Sequence, residues 1–165
     1  MRMMMAGPGE TGLPKTIMAF FYGYFLVHWL TGILMFREKI GFAYADVTRY
    51  YLGDPEMFIN PRSFEGLLEV THFHLFAMGV FFVVFAHLLQ FSGLRESIKT
   101  SLTWLLAVAI IADLAAGYLV RFVAPGFAWT KLGAFWMLQG VSLALFGALI
   151  MEMFKAARGV ATPRF

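Results

Sequence analysis

Four long stretches of apolar residues alternate with polar segments along the chain. They cover residues 16–36, about 66–91, 101–124 and 132–154, and each is near the ~20 residues that a helix needs to cross ~30 Å of hydrocarbon. No ten-residue stretch alternates between apolar and polar side chains, which argues against a β-barrel. Because backbone groups cannot stay unpaired in lipid, the pattern predicts an all-α integral membrane protein with four spanning helices.

The links between these stretches predict how the helices are connected. Short polar links at 92–100 and 125–131 favour antiparallel neighbours, and therefore an up-down four-helix bundle. The link at 37–65 is much longer, contains Pro55 and Pro61, and is rich in aromatic residues. We expect it to form an extended but ordered loop on the outer membrane surface, where it covers helix ends, docks a partner or shields a cofactor. The chain, 1–165, is predicted to be a single membrane domain.

An even number of spans places both termini on the same side of the membrane. Seven basic residues fall on that side and six, with Lys131 among them, fall on the other. By the positive-inside rule, the termini are predicted to be cytoplasmic, and the long loop to lie outside an inner (plasma) membrane. Small residues recur every four positions in the third and fourth spans, so these two are expected to pack closely; they are Ala112, Ala116, Gly140, Ala144 and Ala148.

Composition supports a membrane protein and excludes several other classes. The chain is 60% hydrophobic and only 14% charged, with a mean hydropathy of +0.72, which suits a surface that faces a lipid bilayer rather than water. It has no cysteine, so disulfides, thiolate metal sites and covalently attached c-type haem are excluded. The net charge of +3 comes from dispersed basic residues, which argues against binding to nucleic acid.

Polar side chains occur at a similar depth in all four spans. His28 lies about 12 Å from the outer end of the first span, and His72 and His74 lie about 9–12 Å into the second. Asp113 in the third span and Gln139 in the fourth fall near the same level. Polar groups at such depth are costly, usually face inward and usually mark function. This layer is therefore the first candidate for a functional site.

Helix periodicity indicates which of the histidines share a face. His72 and His74 are about 200° apart around a helix, so both cannot ligate one metal atom from a regular helix. His72 and His87 differ by about 60° and about 22 Å of rise, and Gly79 lies between them on the same face. A glycine there leaves room for a flat macrocycle against the backbone. In the first span, Gly32 leaves a similar gap one turn from His28.

This arrangement resembles the b-type cytochromes of membranes, in which haem lies between helices with histidine at both axial positions. The histidines and glycines carry the resemblance in the first two spans, and hydropathy alone carries it in the last two. It implies that His28 and either His72 or His74 ligate the iron of haem b. Two imidazoles favour electron transfer, because a low-spin iron changes charge with little rearrangement.

The resemblance also implies roles for neighbouring residues. Arg121, together with Arg62 of the loop, is expected to pair with the haem propionates. Asp113 is expected to hydrogen-bond an axial histidine or to carry protons. His87 has no histidine partner at its level, so one haem is expected. A second haem requires that a methionine of the fourth span, or another subunit, supplies the missing ligand.

The function implied is that of a membrane haem b subunit. It would pass electrons between the quinone pool and a membrane or periplasmic redox partner at the outer face, as part of a quinol-linked oxidoreductase, with quinone as a second ligand. One alternative is a non-haem zinc, copper or iron site formed by His28, Asp113 and one of His72 or His74. The other is a cofactor-free anchor subunit of a larger complex, in which the histidines hydrogen-bond between helices or line a quinone pocket.

Overall fold

The computed structural model describes residues 13–160 and consists of helices with short connections. The five α-helices of this part of the chain are α1 (Leu13–Lys39), α2 (Tyr44–Leu52), α3 (Phe64–Gln90), α4 (Glu96–Phe122) and α5 (Ala128–Val160), and a 3-10 turn, Pro125–Phe127, precedes α5. Four helical segments are long and apolar enough to cross a membrane. The predicted fold class, an all-α membrane bundle with four spans, is therefore confirmed. The two chain termini lie outside the described residues.

The spanning helices begin before their apolar stretches, so hydropathy alone does not set where they start. α3 begins two residues before the predicted start, where the Ser63 hydroxyl accepts a hydrogen bond of 3.0 Å from the Gly66 amide. α4 begins at Glu96, five residues before its apolar stretch. α5 begins at Ala128, four residues before the predicted start, directly after the Pro125 turn.

One core cluster joins the four spans near the α3–α4 connection, the end of the bundle that we call the turn side. Aromatic rings dominate it. Phe25 of α1 stacks on Phe146 of α5 at 4.9 Å between ring centroids and contacts Phe85 of α3 at 5.2 Å. Leu89 of α3 and Leu106 of α4 are also buried there. These contacts make α1 a neighbour of both α3 and α5.

A second cluster closes the opposite end, which we call the loop side. The link between α1 and α3, predicted to be an ordered loop, contains α2. This helix buries Val47 and Tyr51 in a cluster with Val120 of α4. In the same cluster, Phe36 of α1 stacks on Phe135 of α5 at 3.8 Å. The short helix therefore covers the loop-side ends of the spans.

The spans differ in how much of their surface the bundle covers. α4 and α5 share the most extensive helix–helix contact, which confirms the predicted close packing of these two spans. The expectation that this contact runs along the small-residue stripe of α5 is wrong for two of its three residues, since Ala148 is buried but Gly140 and Ala144 face outward. In their most apolar windows, α1 and α3 have only 11% of residues buried, against 33% in α4 and 44% in the last span. α1 and α3 therefore present broad outward surfaces.

Candidate functional site

The most strongly polar contact in the interior is an ion pair between α4 and α5. The Lys131 ammonium lies 2.7 Å from a carboxylate oxygen of Asp113 and donates a second hydrogen bond of 3.0 Å to the Asp113 carbonyl oxygen. Their exposed fractions are only 8% and 7%. Since burying a charge away from water is costly unless it is paired, each of the two residues supplies the counter-charge that the other needs.

Sequence reasoning selected Asp113 by its depth but missed its partner. Lys131 was counted with the cations of the loop-side surface, because it stands just before the apolar stretch at 132–154. The 3-10 turn at Pro125 starts α5 early, and this places Lys131 in the first turn of the helix, against α4. The available signal was a single lysine at the end of the predicted link 125–131, directly before the last apolar stretch.

A cavity of about 50 Å³ adjoins this pair, and its lining includes Tyr51, His74, Asp113, Gly117 and Lys131. By the same measure a water molecule needs about 10–15 Å³, so the cavity has room for a few waters. Ligand pockets usually measure about 300–1,000 Å³. The cavity is therefore too small for a quinone ring or a porphyrin.

Tyr51 brings a phenol from α2 into this polar region. A Cβ placed on Gly117 would lie 3.1 Å from its hydroxyl and 3.0 Å from its ring, so the tyrosine packs directly on the α4 backbone. Burial raises the pKa of Tyr51 above its ordinary value, and the negative charge of Asp113 raises it further. The phenol therefore stays protonated over the whole physiological range.

His74 is the histidine that lies nearest to the buried pair, since it lines the same cavity. Its Nδ1 lies 2.7 Å from the carbonyl oxygen of Val70, one turn earlier in α3. Because a carbonyl only accepts, this nitrogen carries a hydrogen, and in a neutral ring with this hydrogen bond Nε2 has the lone pair. Histidines that bind metals are commonly oriented in this way by a backbone carbonyl.

All four histidines are exposed, and three of them, His28, His72 and His87, lie on the outward surfaces of α1 and α3 away from the small cavity. Ring contact between Phe25 and Phe81 sets the register of these antiparallel helices, and it puts His28 about one turn, or roughly 6 Å, nearer the turn side than His74. Among residues 13–160, no hydrogen bond or ring contact joins His28 to His72 or His74.

At the level of the predicted polar layer, α1 meets α5 rather than α3. The Trp29 indole donates a hydrogen bond of 3.1 Å to the Gln139 carbonyl oxygen. Within the described residues there is also no group of three or more histidine and acidic side chains that could hold a metal. The structure therefore does not bring together the predicted set of His28, Asp113 and a histidine of α3.

The expected shared face of His72, Gly79 and His87 is the outward face of α3. All three residues are exposed, and a Cβ on Gly79 would meet nothing within 4 Å. Glu69, one turn before His72, is exposed as well. No other part of the described chain therefore covers this face of α3.

Arg121 and Arg62, the predicted propionate partners, do lie together on the loop side. The Arg121 Nε donates a hydrogen bond of 2.8 Å to the carbonyl oxygen of Arg62. The Arg62 guanidinium lies over the Tyr50 ring, 4.1 Å from its centroid. The structure thus joins the Arg121 side chain to the backbone of Arg62 where the predicted loop meets α4.

Residues 41–160 match the model of a family described as a transmembrane helical domain. The match covers 120 of the 165 residues, from α2 to the end of α5. The chain belongs to this family, Aq_1264_TM. It is therefore an integral membrane protein, and the lipid bilayer predicted as its surroundings is supported.

No curated protein and no solved structure matches the chain. The family description names no cofactor, activity or partner. The resemblance to b-type cytochromes, together with the haem, quinone and redox partners that it implies, therefore stays a prediction.

The residues of this transmembrane domain fit haem b only in part. The tautomer of His74 and the open surface at Gly79 suit a histidine ligand and a flat macrocycle. A single chain, however, does not bring two imidazoles face to face, since His28 is offset from His74. A bis-histidine haem would therefore need one ligand from this chain and one from a neighbouring subunit.

Proposed function

We propose that this protein is a membrane subunit of a larger complex, in which a neighbouring subunit covers the outward faces of α1 and α3. The observation that carries the proposal is the exposure of two imidazoles at membrane depth. His28 lies eleven residues from the end of its span at Lys39, or about 16 Å, and His72 lies eight residues, or about 12 Å, into α3. With hydrocarbon ~30 Å thick, both rings fall in the apolar layer.

An exposed imidazole at that depth is costly in lipid. Each neutral ring keeps one N–H donor and one acceptor, and neither His28 nor His72 has a hydrogen-bond partner within residues 13–160. Polar residues inside membranes almost always face protein or a water-filled cavity. A neighbouring subunit that supplies partners to these rings, and to Glu69 beside His72, removes that cost.

Site-specific photo-crosslinking in the native membrane tests this proposal. A photoreactive residue at Phe76, which is 77% exposed on α3 one turn from His72, is expected to give a discrete protein adduct. The same residue at Ile111, which is 67% exposed on α4, is the matched control and is expected to react with lipid. A second readout is the size of the complex on a native gel, which His72→Leu combined with Glu69→Leu is expected to reduce. Lipid adducts at both positions and an unchanged size would exclude the proposal.

A second candidate function is electron transfer through haem b held at that interface. It is favoured by the Nδ1–Val70 hydrogen bond, which leaves the His74 Nε2 free to bind a metal. It is favoured also by the open face that carries His72, Gly79 and His87. Haem b, when bound, supplies one-electron chemistry between the quinone pool and an outer partner. The role of this chain is to orient one imidazole and to keep the site away from water.

An optical spectrum of the complex, solubilised with its partners, tests the second candidate. A sharp alpha band in the reduced sample is expected. His74→Ala, His72→Ala and His28→Ala identify the ligands by loss of the band, and His87→Ala is expected to keep it if one haem is bound. A complex without an alpha band would exclude haem b and leave the anchor function unaffected.

A further inference from the structure

A cavity of about 650 Å³ opens on the loop side, apart from the buried ion pair. It lies between the end of α1, the helix α2 and the segment that leads into α3. Three cations, Lys39, Arg49 and Arg62, and one carboxylate, Asp46, contribute to its lining, together with the polar side chains of Asn60 and Ser63. The volume is in the range of ordinary ligand sites.

The cavity carries more positive charge than its own carboxylates balance. Arg49 is neutralised, since its guanidinium lies 3.3 Å from Asp54 and 3.9 Å from Asp46. Lys39 and Arg62 have no carboxylate within ion-pair distance among residues 13–160. Two cations therefore face one cavity without a counter-charge.

Arg62 is also held in place before any ligand arrives. Its guanidinium stacks on the Tyr50 ring, and its carbonyl oxygen accepts the hydrogen bond from Arg121. A guanidinium that is already positioned loses less conformational freedom when it binds an anion. Asn60 and Ser63 add neutral polar groups beside it.

The position of the cavity selects a phosphate group as its ligand. Lys39 is the last residue of the first span, and Ser63 directly precedes the span that begins at Phe64. The cavity therefore lies at the boundary of the apolar layer, where phospholipid phosphates are found, and basic pockets between spanning helices bind such headgroups. Apolar side chains of Ile40 and Ile59 complete its wall.

We propose that this cavity binds a phosphate group, carried by an anionic membrane lipid or present as a free anion. Lys39 and Arg62 neutralise the phosphate. The test measures binding of phosphatidylglycerol to the full-length protein in detergent by native mass spectrometry, with phosphatidylcholine as the neutral comparison and inorganic phosphate as a separate arm.

The decisive variant is Lys39→Gln combined with Arg62→Gln. Its affinity for phosphatidylglycerol is expected to fall by about tenfold or more, given about a factor of five for each cation near a membrane surface. Arg37→Gln is the control, because Arg37 lies in the last turn of the same helix and is exposed beside Glu38 but does not line the cavity. It removes one positive charge, as each of the two substitutions in the decisive variant does, and is expected to change the affinity by less than about twofold.

The two sources of phosphate give different outcomes. Preference for phosphatidylglycerol with no effect of millimolar inorganic phosphate identifies a lipid headgroup. Displacement of the lipid by inorganic phosphate identifies a free anion at the same site. The proposal is overturned if the double variant binds phosphatidylglycerol as tightly as the parent. It is also overturned if Arg37→Gln loses as much affinity as the double variant does. Circular dichroism of each variant checks that the helices are intact.

Discussion

Lys131 shows how one side chain fixes the contact between two spans. Its ammonium holds both a carboxylate oxygen and the backbone carbonyl of Asp113. A buried ion pair contributes little net stability compared with an apolar pair of similar size, but the loss of one partner leaves an uncompensated charge. The main effect of the pair is therefore to determine which residues of α4 and α5 face each other.

Replacing the lysine alone should be severe. Lys131→Met leaves the Asp113 carboxylate buried without a counter-charge, and we expect a loss of about 3–5 kcal/mol in the free energy of unfolding, measured by denaturant titration in mixed micelles. Lys131→Met with Asp113→Asn should recover most of that loss. Lys39→Met, at an exposed position, should change the stability by less than about 0.5 kcal/mol. If Lys131→Met alone were as stable as the parent, the Asp113–Lys131 pair would not be buried as described.

Gly117 gives a second test at the residue scale. In Gly117→Ala the new methyl group would lie about 3.0 Å from the Tyr51 ring, and we expect a loss of about 1–3 kcal/mol from overpacking. Gly140→Ala is the matched control, because its methyl group would meet nothing within 4 Å, and it should be neutral or stabilising by up to about 1 kcal/mol. Thermal unfolding of both variants provides the comparison. Equal melting temperatures would mean that Tyr51 does not pack on α4.

The sequence could predict the candidate residues better than their partners. A carboxylate such as Asp113 is conspicuous in an apolar stretch, because any ionisable group there is rare. Lys131 is not, since a lysine at the edge of an apolar stretch usually points to the membrane surface. His28 was placed level with His74 by counting from the segment ends, whereas helix packing sets an offset of about one turn.

At the scale of elements, α2 depends on the glycine at its end. Gly53 has φ = +80°, a conformation that residues with a Cβ rarely adopt. A Cβ there would also lie 2.5 Å from the carbonyl oxygen of Ile59. The chain can therefore turn sharply from α2 to the segment before α3 only with glycine at this position.

Gly53→Ala should loosen the packing of α2 on the loop-side ends of the spans. We expect a local cost of about 1–3 kcal/mol, and faster tryptic cleavage after Arg49 and Arg62, detected by mass spectrometry of the peptides. Gly126→Ala, which would meet nothing within 4 Å, is the control and should leave both cleavage rates unchanged. Unchanged cleavage in Gly53→Ala as well would show that α2 does not depend on this turn.

The four long helices were predictable and α2 was not, for a physical reason. A spanning helix must be apolar over about 20 residues, which gives a strong signal. α2 has nine residues and buries only Val47 and Tyr51, so its periodicity covers just over one turn. Its position comes from contacts with α4 and α5 that are distant in sequence.

At the scale of the molecule, the number of spans could be predicted but not their outward faces. In lipid, both core-facing and lipid-facing positions are apolar, since no hydrophobic force drives helices together. His72, Gly79 and His87 could be assigned to one face of α3 by periodicity. Only packing against the other helices shows that this face is the outward one.

The orientation in the membrane remains a prediction with a direct test. Because the chain has no cysteine, a single introduced cysteine is the only residue of this chain that a maleimide labels. Met57→Cys, in the exposed loop-side segment, should react with a membrane-impermeant maleimide in intact cells. Ser97→Cys, exposed near the turn side, should react only after the membrane is opened. The reverse pattern would place the termini outside.

The position of α1 in the bundle has a consequence for biosynthesis. α1 is synthesised before α3 and α5, to which the rings that it contacts belong. It must therefore stay in the bilayer for a time without these two partners. A hydropathy of 1.6 in its most apolar window and a backbone whose hydrogen bonds are internal to the helix allow this, and the translocon can release α1 before its neighbours exist.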